Sequence, residues 1–299
     1  MKSIFYILFG FVAVQVWSQN YFNLGQLSYT NTPQNKFDTG RGQTQVEELA
    51  LQFEVPIVIS ERTTLLAGFF TNQTAVKLDP HSPETKLKVL GLGLGVHKTF
   101  NPTWSATFMG FPKIASDVIT LSGNNTQFAF LTLISQTKQA NLKYRYGIYA
   151  NTEKYGLIIV PIFGLYYLSP NSRLDANLNL PILADINYLL RKNLWLGIKF
   201  DGLGTTYYLN NQAYSSSGAY ASKISNEIST YLRFALTKSL YFNTKIGYAL
   251  GRSYDVYQAN DKVDLNLIAF YFGDNRTRLN DRFKDGAIFK VELLYRLHF

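Results

Sequence analysis

The chain has 299 residues, 46% apolar and 15% aromatic, which excludes general disorder and allows one large domain or two ordinary ones. It contains no cysteine, so disulfides, a lipid-modified cysteine and every Cys-based zinc or redox centre are excluded. Its formal charge of +9 forms no compact basic stripe with stacking aromatics, so nucleic acid is not an expected partner.

From the start of the chain, residues 1–18 read as a secretory signal. Lys2 gives the charged start, residues 4–16 an apolar stretch too short to span a bilayer, and Val16-Trp17-Ser18 a cleavage site. The expected organisation is a signal peptide at 1–18 and one exported domain at 19–299. Beyond the signal no apolar run reaches the length of a membrane helix. A closed barrel is the other structure that satisfies every backbone group in lipid.

Period two then recurs along the chain. Leu49, Leu51, Phe53, Val55 and Ile57 alternate with Ala50, Gln52, Glu54 and Pro56, and Leu142, Tyr144, Tyr146 and Ile148 with Asn141, Lys143, Arg145 and Gly147. Leu194, Leu196, Ile198 and Phe200 oppose Trp195, Gly197, Lys199 and Asp201, and Leu240, Phe242, Thr244, Ile246, Tyr248 and Leu250 oppose Tyr241, Asn243, Lys245, Gly247, Ala249 and Gly251. These segments have the length of tilted membrane strands, and no amphipathic helix interrupts them. Connections alternate between long (30–44, 76–86, 112–125, 207–222, 252–285) and short (60–62, 99–103, 136–139, 237–239), as short periplasmic turns and long outer loops would. That rhythm puts both termini in the periplasm if a tight outer turn falls near Leu180-Pro181, where proline leaves the ladder. The fold class expected is all-β: a closed antiparallel transmembrane β-barrel of about 14 strands, with about 12 as the alternative.

In such a barrel charges must face inward, because a Lys or Arg turned to the bilayer midplane costs about 2–4 kcal/mol. The expected inner wall carries Lys143, Arg145, Arg173, Lys199, Arg233, Lys245, Lys290 and Arg296 with Glu54, Asp175, Asp185, Asp201, Glu227 and Glu292. Aromatic groups such as Tyr166-Tyr167, Tyr207-Tyr208 and Phe270-Tyr271-Phe272 are expected in interfacial girdles. Gly91, Gly93 and Gly95, spaced by leucines in strict alternation, suggest a bare inner wall or room for an opposing ring, not a phosphate loop.

The chain ends on KVELLYRLHF. Phe289, Val291, Leu293, Tyr295, Leu297 and Phe299 fall on one side of this segment, and Ile288, Lys290, Glu292, Leu294, Arg296 and His298 on the other. It resembles the C-terminal signature of Gram-negative outer-membrane β-barrel proteins, which implies an outer-membrane location and recognition of those six residues by the barrel assembly machinery. Within that class, YYLSPNSRLDANLNLPILADINYLLRKNLWLGIKF (residues 166–200) is similar to an outer-membrane barrel family of unknown function, a likeness that brings no activity.

Chemistry is sparse. Outer-membrane enzymes resembling this architecture use a His near the outer rim, and of the three histidines only His81, in Asp79-Pro80-His81-Ser82, is placed for it. An ordinary solvated loop histidine is the stronger reading, so no catalytic residue, cofactor or metal is expected. Glu47-Glu48 and Asp261 with Asp264 lack a calcium-loop pattern. Arg276, Arg278, Arg282 and Lys284 offer cations to lipopolysaccharide phosphates, although a hydrated loop is the simpler reading. The leading expectation is a passive pore or uptake channel for small polar solutes, contacting outer-membrane lipid and lipopolysaccharide. The alternatives are a structural or surface-binding barrel and, behind it, a lipid-modifying enzyme.

Overall fold

The computed structural model describes residues 21–210, 214, 217–268 and 270–298. The expected signal peptide at 1–18 and the terminal Phe299 lie outside them. The strands are β1 (Tyr21–Asn31), β2 (Asn35–Lys36), β3 (Gln43–Thr44), β4 (Glu47–Ser60), β5 (Thr63–Lys77), β6 (Glu84–Thr99), β7 (Trp104–Ser116), β8 (Thr126–Gln139) and β9 (Leu142–Glu153). They continue as β10 (Gly156–Leu168), β11 (Leu174–Leu180), β12 (Leu183–Arg191), β13 (Leu194–Leu209), β14 (Ala219–Ala235), β15 (Leu240–Gln258), β16 (Leu265–Leu267), β17 (Phe270–Phe272) and β18 (Gly286–His298).

The alternation becomes a two-sided wall. Along β6, Leu90, Leu92 and Leu94 are 43%, 50% and 53% exposed, while Leu87, Val89 and His97 on the other parity are buried. Gly91 shares that inner parity because a Cβ there would fall 2.3 Å from the Phe70 ring, which lies over it. Gly197 gives way in the same manner to Tyr231.

β1, β4–β15 and β18 form one antiparallel ring of fourteen strands: each pairs with its neighbour in the chain, β10 joins β11, and β18 closes on β1 from Tyr21↔His298 to Asn31↔Phe289. The tight turn falls at Pro181 and Ile182, where Gly202 N–H donates to the Ile182 carbonyl at 2.8 Å. The termini share one end with the short turns, here the turn end, and the longer connections gather at the loop end.

Several expected loops are strand. β7 runs through Pro112 to Ser116, β13 and β14 extend to Leu209 and from Ala219, and β15 continues to Gln258. Arg173 lies exposed in the β10–β11 turn and not on the inner wall. The paired tyrosines are also split: Tyr166 and Tyr207 are buried, because adjacent strand residues cannot both face out.

The loop end departs from a plain cylinder at a β-bulge. Ile224 pairs with Ser253 and Asn226 with Leu250, so Ser225 faces both Gly251 and Arg252. Gly251 takes φ +60°, a left-handed conformation that glycine adopts without Cβ strain. The Asp285 carboxylate accepts from both bulge amides, Gly251 N–H at 2.9 Å and Arg252 N–H at 2.8 Å. Even-numbered residues of β15 face outward up to Leu250; beyond the bulge Tyr254 and Val256 face a buried apolar cluster. That cluster joins Val76, Leu87, Val89, Ala115, Tyr207, Ala219 and Ala221 of the strands to Phe37, Val46, Leu78 and Phe283 of the loops.

Candidate functional site

Below this cluster lies a cavity of about 710 Å³. Its lining runs from Tyr21, Asn23 and Arg296 at the turn end to Lys113, Leu183 and Asp201, and includes six basic and four acidic side chains. Two unlike walls face each other across it.

The charged wall belongs to β12–β15, β18, β1 and β4. Lys245 and Glu292, each 3% exposed at the side chain, pair at 2.7 Å, and Asn243 donates to the same carboxylate at 2.9 Å. Lys290 pairs with Glu227 at 3.0 Å, Lys199 with Asp201 at 3.0 Å, and Arg233 with Asp185 at 3.5 Å. Tyr231 donates to Asp185 and accepts from Arg233 at 3.0 Å. Arg296 donates to Asn23 at 2.9 Å, with its guanidinium 3.9 Å from the Tyr21 ring and 4.9 Å from that of Tyr241. Such a lattice satisfies most charges internally while keeping the wall polar.

The opposite wall, β5–β8, presents Phe70 over Gly91, with Phe111 meeting Phe70 edge-on at 6.3 Å and Ala129 beside them. Small or apolar side chains alternate here with exposed leucines and phenylalanines, and Lys113 at the loop-end edge is the one charge this wall brings to the lining.

At the loop end, β13 leaves its neighbour and crosses the lumen. Its ladder with β12 ends at Leu183↔Asp201, and Tyr208 then bridges Ser116 of β7 on the far wall. Gln127 donates to the Thr206 carbonyl at 2.8 Å, Thr206 N–H donates to Glu153 at 2.6 Å, and Lys113 reaches both Thr205, at 2.9 Å, and Glu153, at 3.3 Å. Lys223 on β14 pairs with Glu48 on β4, beside Thr74. With the apolar cluster, these contacts seal that end.

The last connection packs on the back of the seal. Arg282 grips Asp255 through Nε at 2.8 Å and Nη2 at 2.5 Å, and Asn280 donates to the Tyr254 carbonyl at 2.8 Å. Arg276 is held twice by Asp274, at 2.8 Å each, and its guanidinium lies 5.0, 4.5 and 4.9 Å from the rings of Tyr155, Tyr257 and Tyr271. Asp274 is held below the usual carboxylate range, chiefly by the hydrogen bond from Arg276.

Of the fourteen residues expected on the inner wall, Arg173 lies outside it, and Asp185, Lys199, Asp201, Arg233, Lys245, Lys290, Glu292 and Arg296 line the cavity itself. Glu227 meets it through Lys290. Arg145 donates to Asn177 at 2.6 Å and covers Tyr166, with Asp175 close by. Glu54 and Lys143 lie nearer the turn end, on the inner parity of β4 and β9. Sequence reasoning missed Lys113, Lys223 and Glu153, whose segments read as loop or strand end, and gave Glu48 no partner. The available signal was a tract of hydroxyls and aromatics, TTYYL on β13 and AYASK on β14, the second carrying Lys223. His81 is exposed, and Ser82 donates to the Asp79 carbonyl at 3.0 Å; no acid–histidine–serine relay is assembled there. Phe289, Val291, Leu293 and Tyr295 of the closing strand are exposed on the outer face.

A family described as a domain of unknown function, DUF6268, matches residues 15–283. The chain belongs to this family. Its fold is a closed antiparallel β-barrel of fourteen strands. No curated protein is similar to this DUF6268 chain in sequence. Among solved structures it is similar to the COG4313 outer membrane channel from Pseudomonas putida F1, at 9% identity and TM-score 0.46 over 91% of this chain and 94% of that one. The NanC porin is similar at 8% identity and TM-score 0.39, over 91% and 100%. Outer membrane phospholipase A from Escherichia coli is similar at 10% and 0.39, over 91% and 92%.

Proposed function

We propose that this protein is a passive outer-membrane channel for small polar solutes, exported by its signal segment and seated with both termini in the periplasm. The observation that carries the reading is the cavity, with five basic and four acidic side chains along its polar wall and Lys113 facing them. The outer face supports the membrane setting: Leu49, Leu92, Ile148, Ile198, Ile246 and Phe289 are exposed on six different strands, an apolar band that water alone would not favour. The seal makes this a closed state, so conduction requires part of the loop end to move.

The second reading, a surface-binding barrel that does not transport, draws its support from the same seal. Planar-bilayer recording separates them. The purified, folded protein is expected to give discrete openings with a reversal potential favouring anions under a salt gradient. A folded barrel that stays silent at every voltage would overturn the channel reading.

A further inference from the structure

We propose that solutes pass sideways through the wall, between β10 and β13, with the β16–β17 hairpin as the shutter and Arg276 as its latch, and that they are small amphiphilic anions. This rests on the channel reading above and names its route and substrate class.

The wall has a seam. β11 and β12 have only 7 and 9 residues, against 13 and 16 for the flanking β10 and β13. Pairing of β10 with β11 starts at Phe163, and pairing of β13 with β12 stops at Asp201, so above the short hairpin the two long strands have no barrel neighbour between them. Residues 202–209 of β13 turn into the lumen. The gap beside β10 is filled from the last connection: β16 adds in parallel through Ile158↔Asn266 and Ile159↔Leu267, β17 pairs with β16, and β17 ends the sheet.

The shutter is built for lipid on one side. Leu265, Leu267, Phe270 and Phe272 are exposed, Phe270 by 67%, while Asn266 between them is fully buried and donates to the Tyr155 hydroxyl at 3.3 Å. Two rungs, the bonds from Val263 N–H to the Tyr155 carbonyl and from Ile268 N–H to the Ile159 carbonyl, Asn266 on Tyr155, and the Arg276 cage hold this hairpin in place. The axial seal is held by the eight rungs of β13 and β14 from Gly202↔Asn226 to Leu209↔Ala219 and by the apolar cluster behind them. Local opening follows the weaker set of contacts. Leu183 and Asp201, the last rung below the seam, line the cavity, so the lumen reaches the foot of the opening.

The solute class follows from the two walls. A carboxylate or similar anion suits the basic excess on one side, and an apolar body suits Phe70 and Phe111 on the other. Within the polar solutes of the channel reading this selects those whose apolar body can enter the acyl region while the carboxylate stays at the headgroup level.

The absence of native cysteine makes the test direct. In the double variant Ile159→Cys with Leu267→Cys, oxidation should staple the shutter to β10, which gel mobility of unboiled protein checks for folding. With benzoate as the probe in proteoliposomes, stapling should abolish flux and reduction should restore it. Arg276→Ala, which frees the shutter, should raise benzoate flux roughly tenfold. Benzoate flux that is the same stapled and reduced overturns the lateral route and leaves the channel standing. Reduced protein that passes neither chloride nor benzoate overturns both.

Discussion

The two ends of this barrel use the same strands under different rules. In the turn half each strand separates an exposed apolar face from the lumen, so Tyr248 is exposed while Lys245, three residues away on the other parity, is buried in an ion pair. In the loop half β14 and β15 have protein on both sides. Ala219 and Ala221 belong to the sealing cluster, whereas Tyr220 packs with Tyr257, Tyr155 and Val263 beneath the last connection. The difference teaches that side-chain parity encodes the medium on each face, and that one bulge can reassign it without breaking the sheet.

The largest test of the contrast is a charge on the lipid face of the turn half. Leu92→Arg should destabilise the folded barrel by about 3 kcal/mol, because arginine replaces a leucine half exposed near the middle of β6. Urea titration in lipid vesicles reads this as a lowered midpoint. An unchanged midpoint would mean that this face does not meet hydrocarbon.

A smaller effect is expected at the hinge between the halves. Gly251→Ala forces a Cβ into the left-handed region and should cost about 1 kcal/mol. Because the bulge serves only the loop half, the loss should appear as faster proteolytic nicking of the last connection while the global midpoint moves little. A midpoint shift as large as that of Leu92→Arg would show that the two halves unfold as one unit.

The same contrast explains what the sequence could say. Closure, strand number and the tight turn at Pro181 follow from period two and loop rhythm, since a membrane barrel must alternate wherever lipid and water oppose each other. The closing strand was the plainest instance. The seal was not legible, because a strand buried on both faces has no oil-and-water contrast to display. AYASK on β14 therefore reads as a polar loop, and the parity switch at Gly251 hides Tyr254 and Val256 from any alternation counted from Leu240. The ion pairs that cross the lumen, Lys113–Glu153 and Lys223–Glu48, join residues 40 and 175 positions apart, a separation that no local pattern encodes.

The smallest effect concerns acid and the latch. The hydrogen bond from Arg276 holds the Asp274 carboxyl below its usual range, so the folded pKa lies under the unfolded value of about 3.9. A depressed carboxylate contributes its stabilisation above the unfolded pKa and loses it as pH falls through the folded one. The last connection should therefore stay docked near pH 4 and loosen only under stronger acid. Pepsin nicking followed from about pH 5 down to about pH 2 should show that late onset in the native chain. Asp274→Asn removes the titrating group and should give fast nicking with no such step. Onset well above pH 4 in the native protein would mean that Asp274 does not govern the latch, and that a group titrating above it releases the last connection first.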